Sequence, residues 1–333
     1  MRRSIAALLL LCVVLPACGQ SGRSANRDPA AARLVFEDVP RFWQAWTLAR
    51  DAPDLAARAA IYEREYLANG SPGLREFQRL RINDGKQLAA TIERHPRYYE
   101  ALRVATDRAQ DSEAELRQVF HALARAWPDA VFPDVYFLVG RMSSAGTVAD
   151  TGLLIGLDML GITEDTPLDE LGEWHRAVVR PIAGLPHIVA HELVHYQQRY
   201  DGAKGSGTLL AIAVNEGVAD FVAERISGAT INAHVHAWAI PRERELWTEF
   251  RERMHGEDTK GWVYDANPAG GRPADLGYFI GYRIAQCHAA RAGDQVEALR
   301  GLFEIDDFDA FLAASGYEGI PCTQEGPKVV KAD

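Results

Sequence analysis

The sequence predicts an α+β fold that is predominantly helical, with a small sheet between two helical stretches. Three observations carry that expectation. Residues 41–127 read as helix after helix, with apolar side chains returning every three or four positions. Two short apolar runs, Val135–Val139 and Leu153–Leu157, are strand-length and flanked by turn-forming residues. After a helix near residues 185–198, helical patterns resume at 209–226, 241–254, 276–291, 294–302 and 307–314.

The chain begins with a segment that is not part of the fold. "MRRSIAALLLLCVVLPAC" has a basic start at Arg2 and Arg3, an apolar run from Ile5 to Leu15, then Pro16, Ala17 and Cys18. Residues 1–17 read as a secretory signal with a small-residue cleavage site. The stretch Leu15–Cys18 resembles a bacterial lipobox. That resemblance implies cleavage before Cys18 and acylation of its thiol and amine; the alternative is an ordinary signal peptide with an incidental cysteine. Acyl chains would hold the protein on a membrane, each buried CH₂ contributing about 0.8 kcal/mol. Gly19, rather than Asp, follows the cysteine. The sorting pattern then implies the outer membrane, facing the periplasm or the surface. Residues 18–33 are small and polar and read as a flexible tether. No other apolar run is long enough to span a bilayer.

The remainder suffices for one large domain or two small ones. It divides into a helical region at 34–128, a core at 129–320 and a tail at 321–333. Removing Arg2 and Arg3 leaves 34 basic against 46 acidic residues, a net charge of −12. That sign argues against a nucleic-acid partner. Cys12 leaves with the signal, so Cys287 and Cys322 are the cysteines left besides Cys18. In an exported protein they either pair or stay as two thiols, with Cys287 buried on a helix.

The helical elements have local signals. "DLAARAAIYEREYLANG" carries apolar residues at Leu55, Ala59, Tyr62, Tyr66 and Leu67 and stops at Gly70. "SEAELRQVFHALARAW" opens on Ser112 and Glu115, the spacing of a capping box, and Pro128 closes it. The segment 255–277 is a long Gly- and Pro-rich loop with two aromatics, of the kind that often carries function.

The chemistry centres on "GLPHIVAHELVHYQQRYDG", residues 184–202. Pro186 suits the first helical turn. His191 and His195, four apart, leave the same helix face, so two imidazole nitrogens can grip one ion at ~2.0–2.1 Å. Glu192 lies about 100° around the axis, placed as a general base. H-E-x-x-H on a helix is the pattern of zinc metalloproteases. Ile188, Val189, Leu193, Val194 and Tyr196 make this helix apolar on several sides. Buried histidines and a glutamate need partners, which a metal supplies.

A catalytic zinc needs a third protein ligand. The metzincin pattern would want Gly at position 198 and His or Asp at 201; the chain has Gln198 and Asp201. The second candidate is "AIAVNEGVADFVAERISG", residues 211–228, with Glu216 21 residues after His195 and Asp220 one helical turn further. It resembles the gluzincin arrangement. That resemblance implies Glu216 as third ligand and Asp220 as the residue orienting His191.

"AHELVHYQQ", "NEGVADFVAERISG" and "LGYFIGYRIAQ", in this order, resemble the GldB-like gliding-motility lipoproteins and their relatives, the predicted zinc-dependent proteases with an HExxH core. The resemblance covers residues 130–320. It implies a zincin-like core holding one zinc ion in an exported, lipid-anchored protein; the ligand and base pattern itself leads to the expectation that it hydrolyses peptide bonds of a peptide or protein substrate in the envelope. The alternative is a non-catalytic, metal-stabilised scaffold or trafficking factor. In "GYFIGYRIAQ", Tyr278 or Tyr282 is the candidate oxyanion donor, Tyr278 the preferred one, and Arg283 a candidate binder of a carboxylate or phosphate; close helix packing through Gly277 and Gly281, with the tyrosines in the core, is the competing reading. His234 and His236, two apart, do not converge on a helix and read as exposed or capping histidines.

Overall fold

A computed structural model describes residues 24–265 and 271–322. The signal segment 1–17, Cys18, and the outer ends of the expected tether and tail lie outside the described residues.

Strand β1 (Leu34–Val35) leads into a helical layer: α1 (Asp38–Arg50), α2 (Leu55–Ile61), α3 (Pro72–Phe77), α4 (Gly85–Arg94), α5 (Pro96–Arg108) and α6 (Glu113–Ala126). Helices α2 and α3 each run on into a π-helical turn, at Tyr62–Leu67 and Gln78–Ile82. Then come β2 (Val135–Leu138), β3 (Gly146–Ala149) and β4 (Gly152–Gly156). The second helical part comprises α7 (Glu173–Val178), α8 (Leu185–Gln197), α9 (Leu209–Ser227), α10 (Ala233–Ala239), α11 (Glu243–Arg253), α12 (Leu276–Arg291), α13 (Gln295–Phe303) and α14 (Phe308–Ser315).

The sheet has the order β1-β2-β4-β3. β1 and β4 run parallel to β2, with Val135 opposite Leu153 and Phe137 opposite Ile155, and β3 closes antiparallel on β4. Every residue of β2 and β4 is buried. Two covered faces explain why these strands read as unbroken apolar runs without alternation. Helices α1 and α3 pack on the sheet from the N-terminal layer, and α8 packs along β3 and β4. One continuous apolar core joins both helical parts through the sheet, from Phe42 and Tyr99 through Phe137 and Leu154 to Leu193 and Val218.

Several local expectations differ from the structure. β1 and β3 are strands that the sequence did not announce: one has two residues, and the other is the small-residue segment "GTVA". Ser112 stands at the N-terminus of α6 without a side-chain capping bond, because its backbone continues a 3₁₀ turn. Residues 24–33 carry bonds to the body: Ser24 N donates to the Tyr196 hydroxyl, Asn26 Nδ2 to Phe132 O, and Arg33 pairs with Asp134. Cys287 on α12 is joined by a disulfide to Cys322, with Cα atoms 5.5 Å apart. The link holds the segment after α14, as far as Cys322, against α12.

Candidate metal centre

Helix α8 starts with Leu185 and Pro186 in its first turn and is buried nearly all round. It therefore carries His191 and Glu192 into the interior, at 6% and 8% exposure. Helix α9 is capped by the Thr208 side chain, which accepts from Ala211 N, and ends on Gly228 in the left-handed region (φ 84°). Its Glu216 and Asp220 are buried, with 1% and 2% exposure. α9 crosses α12 very closely: a Cβ on Gly217 would overlap the Gly281 backbone, and one on Gly281 would overlap Ala213 O. Gly281 thus serves close helix packing, whereas Gly277 makes room for Val263 and the Trp262 carbonyl of the loop before α12.

The structure brings His191, His195 and Glu216 together. His191 Nε2 and His195 Nε2 are 3.0 Å apart, and Glu216 Oε2 is 3.3 Å from the first and 3.2 Å from the second. Tetrahedral donors around an ion at ~2.0–2.1 Å sit about 3.3 Å apart, so this spacing fits a metal. The protonation pattern agrees. His191 Nδ1 donates to Asp220 Oδ1 at 2.8 Å, and Asp220 Oδ2 accepts from Asn232 Nδ2 at 2.7 Å. His195 Nδ1 is 2.6 Å from Gln198 Oε1, whose amide nitrogen donates to Asn215 O at 2.8 Å. With both Nδ1 atoms bonded to acceptors, the neutral imidazoles turn Nε2 lone pairs toward each other and toward a carboxylate oxygen. Three convergent acceptors at such distances repel unless positive charge lies between them. These three residues, among those described, form a group able to hold a metal ion.

The electrostatics favour positive charge at the same point. Burial opposes a charged His191, but the hydrogen-bonded carboxylates of Asp220 and Glu216 outweigh it and hold its pKa well above the usual range. Burial likewise opposes a charged Glu216, yet His195 and His191 hold it well below the usual carboxylate range. Glu192 behaves differently: burial is the largest influence and pushes its pKa up. Its carboxylate lies against β3, where a Cβ on Gly146 would overlap Glu192 Oε1. Gly146 is therefore needed for space.

Two contributors lie outside the residues singled out from the sequence. Gln198, which stands where the metzincin pattern wants glycine, orients His195. Tyr264, in the long loop before α12, donates to Glu216 Oε1 at 2.6 Å. It has a positive φ of 59°, and its backbone N–H is held by Asp275 Oδ1 at 2.9 Å. Through it Glu216 presents one oxygen to the histidines and the other to a hydroxyl. The one available signal for Tyr264 was the length and composition of its loop. The Tyr278 ring lies near-parallel to that of His191, with centroids 6.3 Å apart, and Tyr282 turns to Glu224 at 2.7 Å. Arg283 is bonded to Glu243, away from the histidines. Asp201 is exposed. His234 is exposed as well, whereas His236 is half-buried between Phe279 and Tyr282.

No helix of the described residues is long and apolar enough to cross a membrane. No curated protein and no solved structure matches the chain. A family model described as gliding motility protein GldB matches residues 84–319, a span that takes in every residue of the His–His–Glu constellation and its supports. On that match, which covers most of its length, the chain belongs to the GldB gliding motility protein family.

Proposed function

We propose that the protein is a zinc-dependent metallopeptidase of the cell envelope, with a zincin-like core in which His191, His195 and Glu216 hold one zinc ion. The observation that carries this reading is the convergence of two imidazole nitrogens and one carboxylate oxygen at 3.0–3.3 Å, beside a glutamate that holds no ligand position. Three protein ligands leave a fourth position open, the arrangement of catalytic rather than structural zinc. When bound, the ion would polarise a scissile carbonyl and acidify a nearby water. Glu192 takes the water's proton on its carboxylate and hands it to the leaving nitrogen. Its raised pKa suits a group that must both accept and release a proton. Asp220 and Gln198 keep the imidazoles in the tautomer that turns Nε2 inward. Tyr264 keeps Glu216 Oε1 occupied, so that Oε2 alone faces the histidines. Tyr278, beside His191, is the candidate hydrogen-bond donor to the developing oxyanion. β3 is an outer strand of the sheet beside Glu192, a position from which an extended peptide can be held by strand addition. Acylation at Cys18 would place this activity on the outer membrane, with envelope peptides or proteins as substrates and no nucleic acid.

A second reading has its own support. His191, Glu192 and Glu216 are nearly closed to solvent, and the family is described by gliding motility rather than by hydrolysis. A metal clip inside a scaffold or trafficking factor fits both facts. Glu192→Gln separates the two. As a peptidase the variant retains metal and melting temperature while turnover of a peptide library falls by about 10²–10⁴-fold. Undiminished cellular function in that variant would leave the scaffold reading standing.

A further inference from the structure

The loop between β2 and β3 is held with unusual completeness. Val139 exchanges two hydrogen bonds with the Tyr66 hydroxyl, at 2.8 and 3.0 Å. Gly140 O accepts from Tyr99 at 2.8 Å, and Met142 O lies 3.2 Å from His175 Nε2. Both oxygens of the buried Asp158 are spent on the same loop, accepting from Gly140 N at 2.6 Å and Met142 N at 2.5 Å. Met142 takes a positive φ of 58°. All of this fixes the backbone on either side of one residue, Arg141.

Arg141 is half-buried, yet its guanidinium has no acceptor. Its Nε is buried without a hydrogen-bond partner, and among the described residues no carboxylate pairs with it. Asp158 spends its oxygens on backbone N–H groups and acts on Arg141 only through its charge. The neighbouring charges are the carboxylates of Asp158 and Asp84 and, on α4, Arg94, another cation without a carboxylate partner among the described residues. Arg94 bonds only to Ala90 O and the Thr91 hydroxyl of its own helix. Burial disfavours the charged Arg141, as does Arg94, while the Asp158 and Asp84 carboxylates act the other way without forming an ion pair with it. Both arginines line one pocket of about 450 Å³ with Gln87, Ala90, Thr91 and Glu93. Glu93 is already engaged by Arg58 at 3.0 Å, and Gln87 Oε1 accepts from Asn83, which leaves its amide N–H groups as donors. The pocket thus offers two guanidiniums and an amide, and its one carboxylate is already paired.

A rigid loop that presents a half-buried guanidinium with an unfilled Nε–H beside a second, exposed arginine leaves donor positions for an anion's oxygens. We propose that Arg141 and Arg94 form an oxyanion site that binds a phosphate group, separate from the His–His–Glu constellation. Planar guanidiniums grip phosphate oxygens in pairs. A phosphomonoester carries about −1.5 to −2 charges at neutral pH, which matches two arginines; a lone carboxylate would leave one unbalanced. The same chemistry is offered by free phosphate and by the phosphate of a lipid headgroup.

Calorimetric titration of the full mature chain with inorganic phosphate tests this. Saturable binding is expected with Kd below about 10 mM, weakened at least about tenfold by Arg141→Gln and by Arg94→Gln, with Arg79→Gln as an inert control. Arg94 lies on the exposed face of α4, so its variant keeps the test valid should Arg141→Gln fail to fold. No saturable binding, or equal binding by wild type and both variants, overturns the site. Water-soluble dihexanoyl phosphatidic acid identifies the source. Arg141-dependent binding about tenfold tighter than that of inorganic phosphate assigns a lipid headgroup, and equal binding assigns free phosphate.

Discussion

The two ends of the β2–β3 connection present opposite chemistry. At Gly146 the chain passes the carboxylate of Glu192, next to three acceptor atoms that converge on one point and call for a cation. Five residues earlier, at Arg141, it presents a donor group that calls for an anion. In the first place every side chain has its outer atoms held: Asp220 behind His191, Gln198 behind His195, Tyr264 behind Glu216. In the second, the backbone is held and the side chain is not. The contrast separates two ways of building a polar site in a helical protein. Side chains on two buried helices are oriented by further side chains, whereas a loop residue is oriented by fixing its peptide groups.

Removing a ligand should have the largest effect on this picture. His191→Ala should abolish stoichiometric zinc after dialysis, measured by elemental analysis, because two protein donors do not make a closed or catalytic zinc site. If that variant retains its zinc, the metal lies elsewhere and the contrast collapses. Next comes the helix crossing that brings Glu216 to the histidines. Gly281→Ala forces a methyl group into the α9 backbone and should cost about 1–3 kcal/mol in denaturant unfolding. An unchanged midpoint would mean that the two helices are not so close.

The anchor of the loop gives a pH test. Burial raises Asp158 to about 6, above its unfolded value of about 3.9. The folded state then binds more protons between these values, so its contribution to stability is full below pH 4 and lost as pH rises through 6. The span is about 3 kcal/mol. Asp158→Asn should flatten the stability profile between pH 4 and 6; an unaltered slope there would assign the dependence to other groups. The smallest effect is expected at the supports. Tyr264→Phe, and separately Gln198→Ala, should weaken zinc about 10–100-fold in competition with a chelator while the fold is retained. Wild-type affinity in both variants would reduce these contacts to packing.

Much of the helical architecture was legible because it is local. Leu116, Val119, Phe120 and Leu123 mark α6 by their spacing. β3 was not legible: four small residues without alternation become a strand only because β4 lies beside them. The same division runs through the site. His191 and His195 share a helix face by helix geometry alone, and Glu216 and Asp220 do so on theirs. Tyr264 has no such signal, since its role depends on a helix 48 residues away, and Gln198, though only three residues from the His195 it orients, is held in place by Asn215 O, 17 residues on.

By itself, therefore, the sequence determined the helices other than the short α7 and α10, the strand-length runs β2 and β4, and which residues share a helix face, since each follows from backbone periods of 3.6 and 2 and from side-chain chemistry within a few turns. The tertiary structure alone decided that Glu216 of α9 comes within 3.2–3.3 Å of both α8 imidazoles, that Glu192 rests against a glycine of an outer strand, and that Arg141 and Arg94 line one pocket. Those depend on the closeness of the α9–α12 crossing and on the sheet between the helical layers, and so on contacts between residues far apart in the chain.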